Sequence, residues 1–332
     1  MTAAAPGAMA ATRIPLARSS RPGGKPLLSL SLDLDNLWSY QKTRGDAAWA
    51  TFPSYLDTVT DIVLDMLATL GMRLTVFVVG QDAAIESNHR ALRRLADAGL
   101  EIGNHSFNHE PWLHLYTLTQ LEEELGRAHE AIERATGQHP TGFRGPGFSL
   151  SDDTLRVLCR QGYTYDCSTF PTFLGPLARM YYFRQSRDFS PSDKEKRAQL
   201  FGSLSDGLRP LQPYRWQIDG KTIVEIPVTT LPIARVPIHM SYLLYLAGFS
   251  SALSRAYLRT AVAMCRAGGV EPSFLLHPLD FISAAEAPSL KFFPGMQLTA
   301  RFKQQQVRDT LTYLSRYFSI VTMKDHAEAA AG

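Results

Sequence analysis

The chain has 332 residues, 45% of them hydrophobic and 20% charged, which allows a packed core and argues against wholesale disorder. Its 34 basic and 31 acidic residues leave a net charge of +3, with no long basic run of the kind a nucleic-acid binder carries. The three cysteines, Cys159, Cys167 and Cys265, never fall in C-x-x-C spacing, which argues against a disulfide scaffold or thiolate zinc site and favours a reduced compartment.

Residues 1–26 are rich in Ala, Gly, Pro and Ser and lack the apolar run of roughly 7–15 residues that a secretory signal needs. They read as a disordered tail. No stretch reaches the roughly 18 apolar residues of a membrane span, so a cytoplasmic protein is expected. Strand and helix signals then alternate. A strand at 27–34 ends in Asp33-Leu34-Asp35. A helix at 55–70 stops at Gly71, and a strand at 73–79 closes at Gly80. A helix at 83–98 and a strand at 100–104 lead into His105. The clearest helix is 117–136, with Thr119 and Glu122 spaced as a capping box and Gly137 at its end. A strand at 141–144, a helix at 152–161 and a strand at 163–168 follow.

The region 170–220 is irregular and reads as an insertion after the fifth strand. Strand character resumes at 222–228. The apolar, aromatic segment 239–266 is helical in its second half, 272–277 is a strand, 304–317 a helix and 318–323 a last strand. Residues 324–332 read as a C-terminal tail. Seven or eight strands alternating with helices place the chain in the α/β class, closed as a (β/α)7–8 barrel over 27–323.

In such barrels the chemistry sits where strands end. His105 and His109, four residues apart, reach one metal if a helical turn joins them. Asp33 and Asp35 stand two residues apart on one strand face and repel unless a cation intervenes or their roles differ. Asp35 with the two histidines gives a ligand set with open positions, leaving Asp33 as a base. Arg144, before a Pro-Gly turn, is placed to keep Asp33 ionised, and the turn offers a backbone N–H to an oxyanion. His277 ends an apolar strand and is a candidate general acid. Asp166 is a candidate to orient it. Trp38, Pro146, Gly147, Phe148 and Ser168 complete the expected site as substrate-binding residues.

Five segments, Ser31–Asn36, His105 to His109, Arg144–Phe148, Tyr165–Ser168 and Leu276–Pro278, resemble in order the motifs of the polysaccharide deacetylase (NodB-type) family, carbohydrate esterase family four. The resemblance runs from about Leu27 to about Met323. It implies a distorted β/α barrel and one divalent metal, zinc first, with cobalt, nickel or manganese as alternatives. It implies Asp33 as base and Asp35, His105 and His109 as ligands. The chain departs from the common pattern of adjacent acids: Leu34 separates the two, and Asn36 stands where glycine is usual. The segment around Asp166 is degenerate.

The expected activity is removal of an acetyl or formyl group from an N-acylated amino sugar, carried on a nucleotide or a polyprenyl phosphate. Tyr242, Tyr245, Phe249 and Tyr257 with nearby arginines suit peripheral contact with a membrane surface, although a buried helix fits the same pattern better. Two alternatives stand beside it: hydrolysis of a small non-sugar amide, and a catalytically silent barrel that binds glycan.

Overall fold

The computed structural model describes residues 10–16, 24–174 and 204–332. Its strands are β1 (Thr12–Pro15), β2 (Leu27–Asp33), β3 (Thr75–Val78), β4 (Glu101–Asn104), β5 (Gly142–Phe143), β6 (Tyr165–Asp166), β7 (Tyr214–Ile218), β8 (Lys221–Glu225), β9 (Ser273–Leu276) and β10 (Ser319–Val321). Its α-helices are α1 (Leu37–Arg44), α2 (Leu56–Leu70), α3 (Gly80–Ala84), α4 (His89–Asp97), α5 (Leu118–Thr136), α6 (Asp152–Arg160), α7 (Met240–Phe249), α8 (Ser251–Gly268), α9 (Ala300–Ser315) and α10 (Met323–Ala331).

Strand β2 shows how the barrel is built. Its sequence LLSLSLD is buried along its whole length and alternates by side. Leu28, Leu30 and Leu32 join the core beneath the surrounding helices. Ser29, Ser31 and Asp33 face the other way, into the barrel, where Ser31 and Asp33 accept hydrogen bonds from Arg144.

Parallel pairing runs from β2 through β3, β4, β5 and β6 to β8, β9 also pairs with β2, and outside this run the short β10 pairs parallel with the start of β2 at Leu27–Ser29. Two bonds link the ends of this run: Thr229 N–H donates to Ser273 O at 3.2 Å, and Ser273 N–H to Thr229 Oγ1 at 2.6 Å. The result is a distorted barrel of seven parallel strands, in which β5 and β6 are only two residues long. Strand β7 forms an antiparallel hairpin with β8 across Asp219-Gly220, both at positive φ (48° and 76°), the geometry a two-residue hairpin turn requires.

Several expected boundaries change. The stretch expected to be a disordered tail contributes β1, paired antiparallel with β7. The expected C-terminal tail is α10. Its Met323 and Ala327 pack with Phe77, Tyr165 and Cys167, and its fully buried His326 contacts Ser29 Oγ through Nδ1 at 2.9 Å. An Ala-rich segment of nine residues has too little apolar periodicity to announce this docking. The expected insertion ends in the hairpin strand β7, and its residues 175–203 lie outside the described residues.

The expected helix 83–98 is split into α3, a 3₁₀ turn and α4. The capping box on α5 is formed by Thr117 and Gln120, not by Thr119 and Glu122. Helix α1 was not anticipated. It starts at Asn36, whose side chain caps it directly after Asp35. Among the described residues, no helix is long and apolar enough to cross a membrane.

Candidate active site

Asp33 ends β2, and His105 and Arg144 directly follow β4 and β5. These three strands lie side by side, with β3 between β2 and β4. Asp35 Oδ1 lies 3.3 Å from His105 Nε2 and 2.9 Å from His109 Nε2. The carboxylate and both imidazoles are buried or nearly so. Burial pushes the Asp35 carboxyl up, but His109 and then His105 outweigh it and hold it well below the usual carboxylate range. His105 Nδ1 faces the carbonyl oxygen of Arg144 at 2.6 Å, which fixes the ring and leaves Nε2 for a ligand.

The donor set suits a divalent ion. Bonds of about 2.0–2.1 Å in a tetrahedral site separate ligand atoms by roughly 3.3 Å, close to the spacings here.

The histidines do not share a helical turn, as their spacing suggested. Ser106 and His109 both take positive φ (62° and 54°). Asn104 Oδ1 accepts from Ser106 N–H at 2.8 Å. Glu124 on α5 accepts from Phe107 N–H at 3.0 Å, Asn108 N–H at 2.6 Å and Asn108 Nδ2 at 2.6 Å. The buried Glu124 side chain thus holds the loop that carries both histidines, by bonds from its backbone. Nothing in the helix pattern separated Glu124 from its exposed neighbours.

Arg144 is wholly buried. Its Nη1 donates to Asp33 Oδ1 at 2.7 Å and to Ser31 Oγ at 2.9 Å, and its Nε donates to Cys167 O at 3.2 Å. Its guanidinium lies 4.6 Å from the centre of the Phe77 ring. Asp33 Oδ2 has no hydrogen-bond partner among the described residues. The turn after Arg144 needs its glycines. A Cβ on Gly145 would lie 2.1 Å from Ser149 O, and Gly147 sits at φ 59°. Phe148 N–H is already donated to Gly145 O at 2.9 Å. That leaves Gly147 N–H, unpartnered among the described residues, as the donor this turn can offer an anion.

Asp166 does not orient His277. It accepts from Ser168 N–H (3.0 Å) and Ser168 Oγ–H (2.7 Å), and Ser168 Oγ accepts from Gly145 N–H (2.8 Å). Burial, then the Asp166 charge, raises the Glu225 carboxyl beside it well above its usual range. Asp166 and Ser168 therefore prop the Arg144 turn from below. Ser168 is buried and committed there, and Pro146 is buried too.

Trp38 also departs from the substrate-binding role. It is buried, and its Nε1 donates to Asp82 Oδ1 at 2.8 Å. Asn36 Nδ2 donates to the same oxygen at 2.7 Å, and burial pushes the Asp82 carboxyl up to about 7. Asn36 thus caps α1 and ties the Asp35 segment to Asp82, work a glycine cannot do. Tyr40, half-buried, lies beside Asp35; burial, then the Asp35 charge, raises its hydroxyl well above its usual value. Tyr40, Asp82 and Glu124 were not anticipated.

His277 follows β9. Its Nδ1 lies 3.2 Å from Ser241 Oγ on α7, and its N–H donates to Asp280 Oδ2 at 2.8 Å. Ser241 also hydrogen-bonds the buried Asp280. The orienting carboxylate thus comes from the 3₁₀ turn after His277, through a serine. His239 stands 6.2 Å from His277 between ring centres, and Phe170 and Phe148 continue the wall at 6.2 Å and 4.6 Å.

The polysaccharide deacetylase family model matches residues 40–165, the segment that holds both histidines and the Arg144 turn. The peptidoglycan deacetylase of Helicobacter pylori is 30% identical over 128 residues, 39% of this chain and 40% of that protein. The peptidoglycan-N-acetylmuramic acid deacetylase PdaA of Bacillus subtilis is 32% identical over 142 residues, 42% of this chain and 52% of that protein. Over this segment the chain is similar to polysaccharide deacetylases. Its matches span about half of these curated relatives or less. A Mycobacterium smegmatis structure, provisionally described as a polysaccharide deacetylase, superposes with a TM-score of 0.57 at 16% identity, covering 96% of this chain and 95% of that one. That likeness shows the fold alone.

Proposed function

We propose that this chain is a divalent-metal-dependent amidohydrolase that removes an N-acyl group, acetyl or formyl, from an N-acylated amino sugar. One observation carries the reading: the Asp35–His105–His109 cluster stands beside Asp33, whose Oδ1 is held by a fully buried Arg144. A binding barrel has no need for a buried, ion-paired carboxylate with one oxygen free next to three converging ligands. A divalent ion held by the three ligands supplies Lewis acidity toward the acyl carbonyl and toward water. Asp33 takes the proton of the attacking water through Oδ2. Gly147 N–H receives charge that develops on the acyl oxygen. His277, held by Ser241 and Asp280, gives a proton to the departing amine.

The substrate reading is a sugar carried on a polyprenyl phosphate or a nucleotide, and one feature favours the lipid. Ring centres step from His277 to His239 (6.2 Å), Tyr242 (6.3 Å), Tyr245 (6.4 Å) and Phe249 (5.1 Å), ending on a Phe249 side chain that is 72% exposed. Such a path suits an apolar carrier leaving the mouth along α7 at a membrane surface.

The experiment is product analysis by mass spectrometry from a mixed pool of N-acyl nucleotide sugars and polyprenyl-linked sugars, with and without chelator. Chelator-sensitive loss of an acyl group from either supports the hydrolase. Equal turnover of both, with no sedimentation on vesicles, sinks the lipid part alone. A parallel incubation with cyclic ureides that shows their ring opening by addition of water, with no sugar deacylated, would move the activity to small amides.

A further inference from the structure

We propose a second divalent-cation site on the outer face of the barrel, formed by His129, Glu133 and His139 and suited to a borderline transition ion such as zinc. Helix α5 presents His129 and Glu133 one turn apart on one face. Gly137 ends the helix at φ 77° and turns the chain so that His139 folds back onto them. His129 Nε2 lies 3.1 Å from His139 Nδ1 and 3.9 Å from Glu133 Oε2, and His139 Nδ1 lies 3.4 Å from Glu133 Oε1. These spacings bracket the roughly 3.3 Å that separates neighbouring ligands around a tetrahedral ion with bonds of about 2.0–2.1 Å. They resemble those of the Asp35 cluster, with which the outer set shares no residue.

The buried end of the set is fixed. His129 Nδ1 meets Tyr163 Oη at 3.0 Å, and Tyr163 Oη accepts from Asn104 Nδ2 at 2.7 Å. This holds the ring with Nε2 turned toward the other two ligands, as outer partners do around metal-bound histidines. Two imidazoles and one carboxylate favour zinc, nickel, cobalt or copper over magnesium or calcium. An i,i+4 His–Glu pair on a helix needs no third residue from beyond the cap.

Glu133 and His139 are exposed, so the ion exchanges with solvent and one position stays open. Occupancy would clip the end of α5 to the segment leading into β5. Through Tyr163 it would brace Asn104, the residue before His105.

The test is zinc stoichiometry by calorimetry and elemental analysis on the full chain after exhaustive dialysis. The wild type is expected to bind two equivalents, and His139→Ala and Glu133→Gln one each, with turnover unchanged. His105→Ala is expected to keep the outer equivalent. Both outer substitutions lie on exposed side chains, so folding is not at stake. A wild type that binds a single equivalent overturns the proposal, and so does a His139→Ala protein that still binds two.

Discussion

Around the barrel mouth, the side built on β2, β4 and β5 holds its groups by buried, charge-assisted contacts, whereas the β9 side holds His277 through a serine and a short turn. On the first side, Arg144 ties down Asp33 with its side chain and His105 with its carbonyl, and Glu124 gathers the loop carrying His109. On the second, His277 leans on Ser241 and Asp280 and faces His239 and a run of aromatic rings. The first side has one permitted arrangement, because each buried charge would be stranded without its partner. The second is softer and more apolar, in keeping with the proton-donating and carrier-binding roles proposed for it.

The comparison predicts a graded response to substitution. Removing a ligand is expected to do most. His105→Ala should lose the inner metal and drop turnover by on the order of 10⁴-fold, read by metal content and a deacetylation assay. Asp33→Asn should retain metal yet lose roughly 10²–10⁴-fold in kcat, the worth of a positioned base. A fully active Asp33→Asn protein would remove Asp33 from the mechanism.

Glu124→Gln touches neither metal nor substrate. It should weaken inner-metal affinity by about 10–100-fold, the usual effect of losing an outer partner, and excess metal should restore kcat. Asp280→Asn should cost less, roughly tenfold in kcat, with unaltered metal content and a shifted basic limb of the pH profile. Equal loss in Asp280→Asn and Asp33→Asn would erase the contrast between the two sides.

The smallest expected effect is on stability. Burial, then the neighbouring His277, pushes the His239 imidazole down to about 3. The folded chain then binds fewer protons at this site than the unfolded chain, whose histidine titrates near 6.5. The stability this contributes is present above about pH 6.5 and is lost as pH falls toward 3. His239→Gln should flatten that part of the stability curve in urea titrations. A curve of unchanged slope would place the acid sensitivity elsewhere.

Much of the first side was legible in the sequence because its groups fall at strand ends. A buried run such as 27–34 ending in Asp33-Leu34-Asp35 announces where the chain leaves the core, and so where a carboxylate faces the mouth. The His105–His109 spacing announced that the two imidazoles could converge, but not the left-handed residues that bring them together. Asp166 and Ser168 were placed at the right height on the barrel and given the wrong partners. Trp38, expected to bind substrate, is buried in the wall, because Asp82 takes its indole N–H.

By itself the sequence determined the strand–helix alternation and named Asp33, Asp35, His105, His109 and Arg144, which the structure brings together. Periodicity, glycine stops and strand-end polar residues are local signals, and they survive without knowledge of neighbours. Only the tertiary structure decided which buried partner each polar group takes: Arg144 on Asp33, Glu124 on the histidine loop, Ser241 and Asp280 on His277, Tyr163 on His129. Those pairings join residues far apart in the chain. A buried polar group is stable only where a partner of matching chemistry lies within hydrogen-bond reach, and that distance exists only once the barrel has closed.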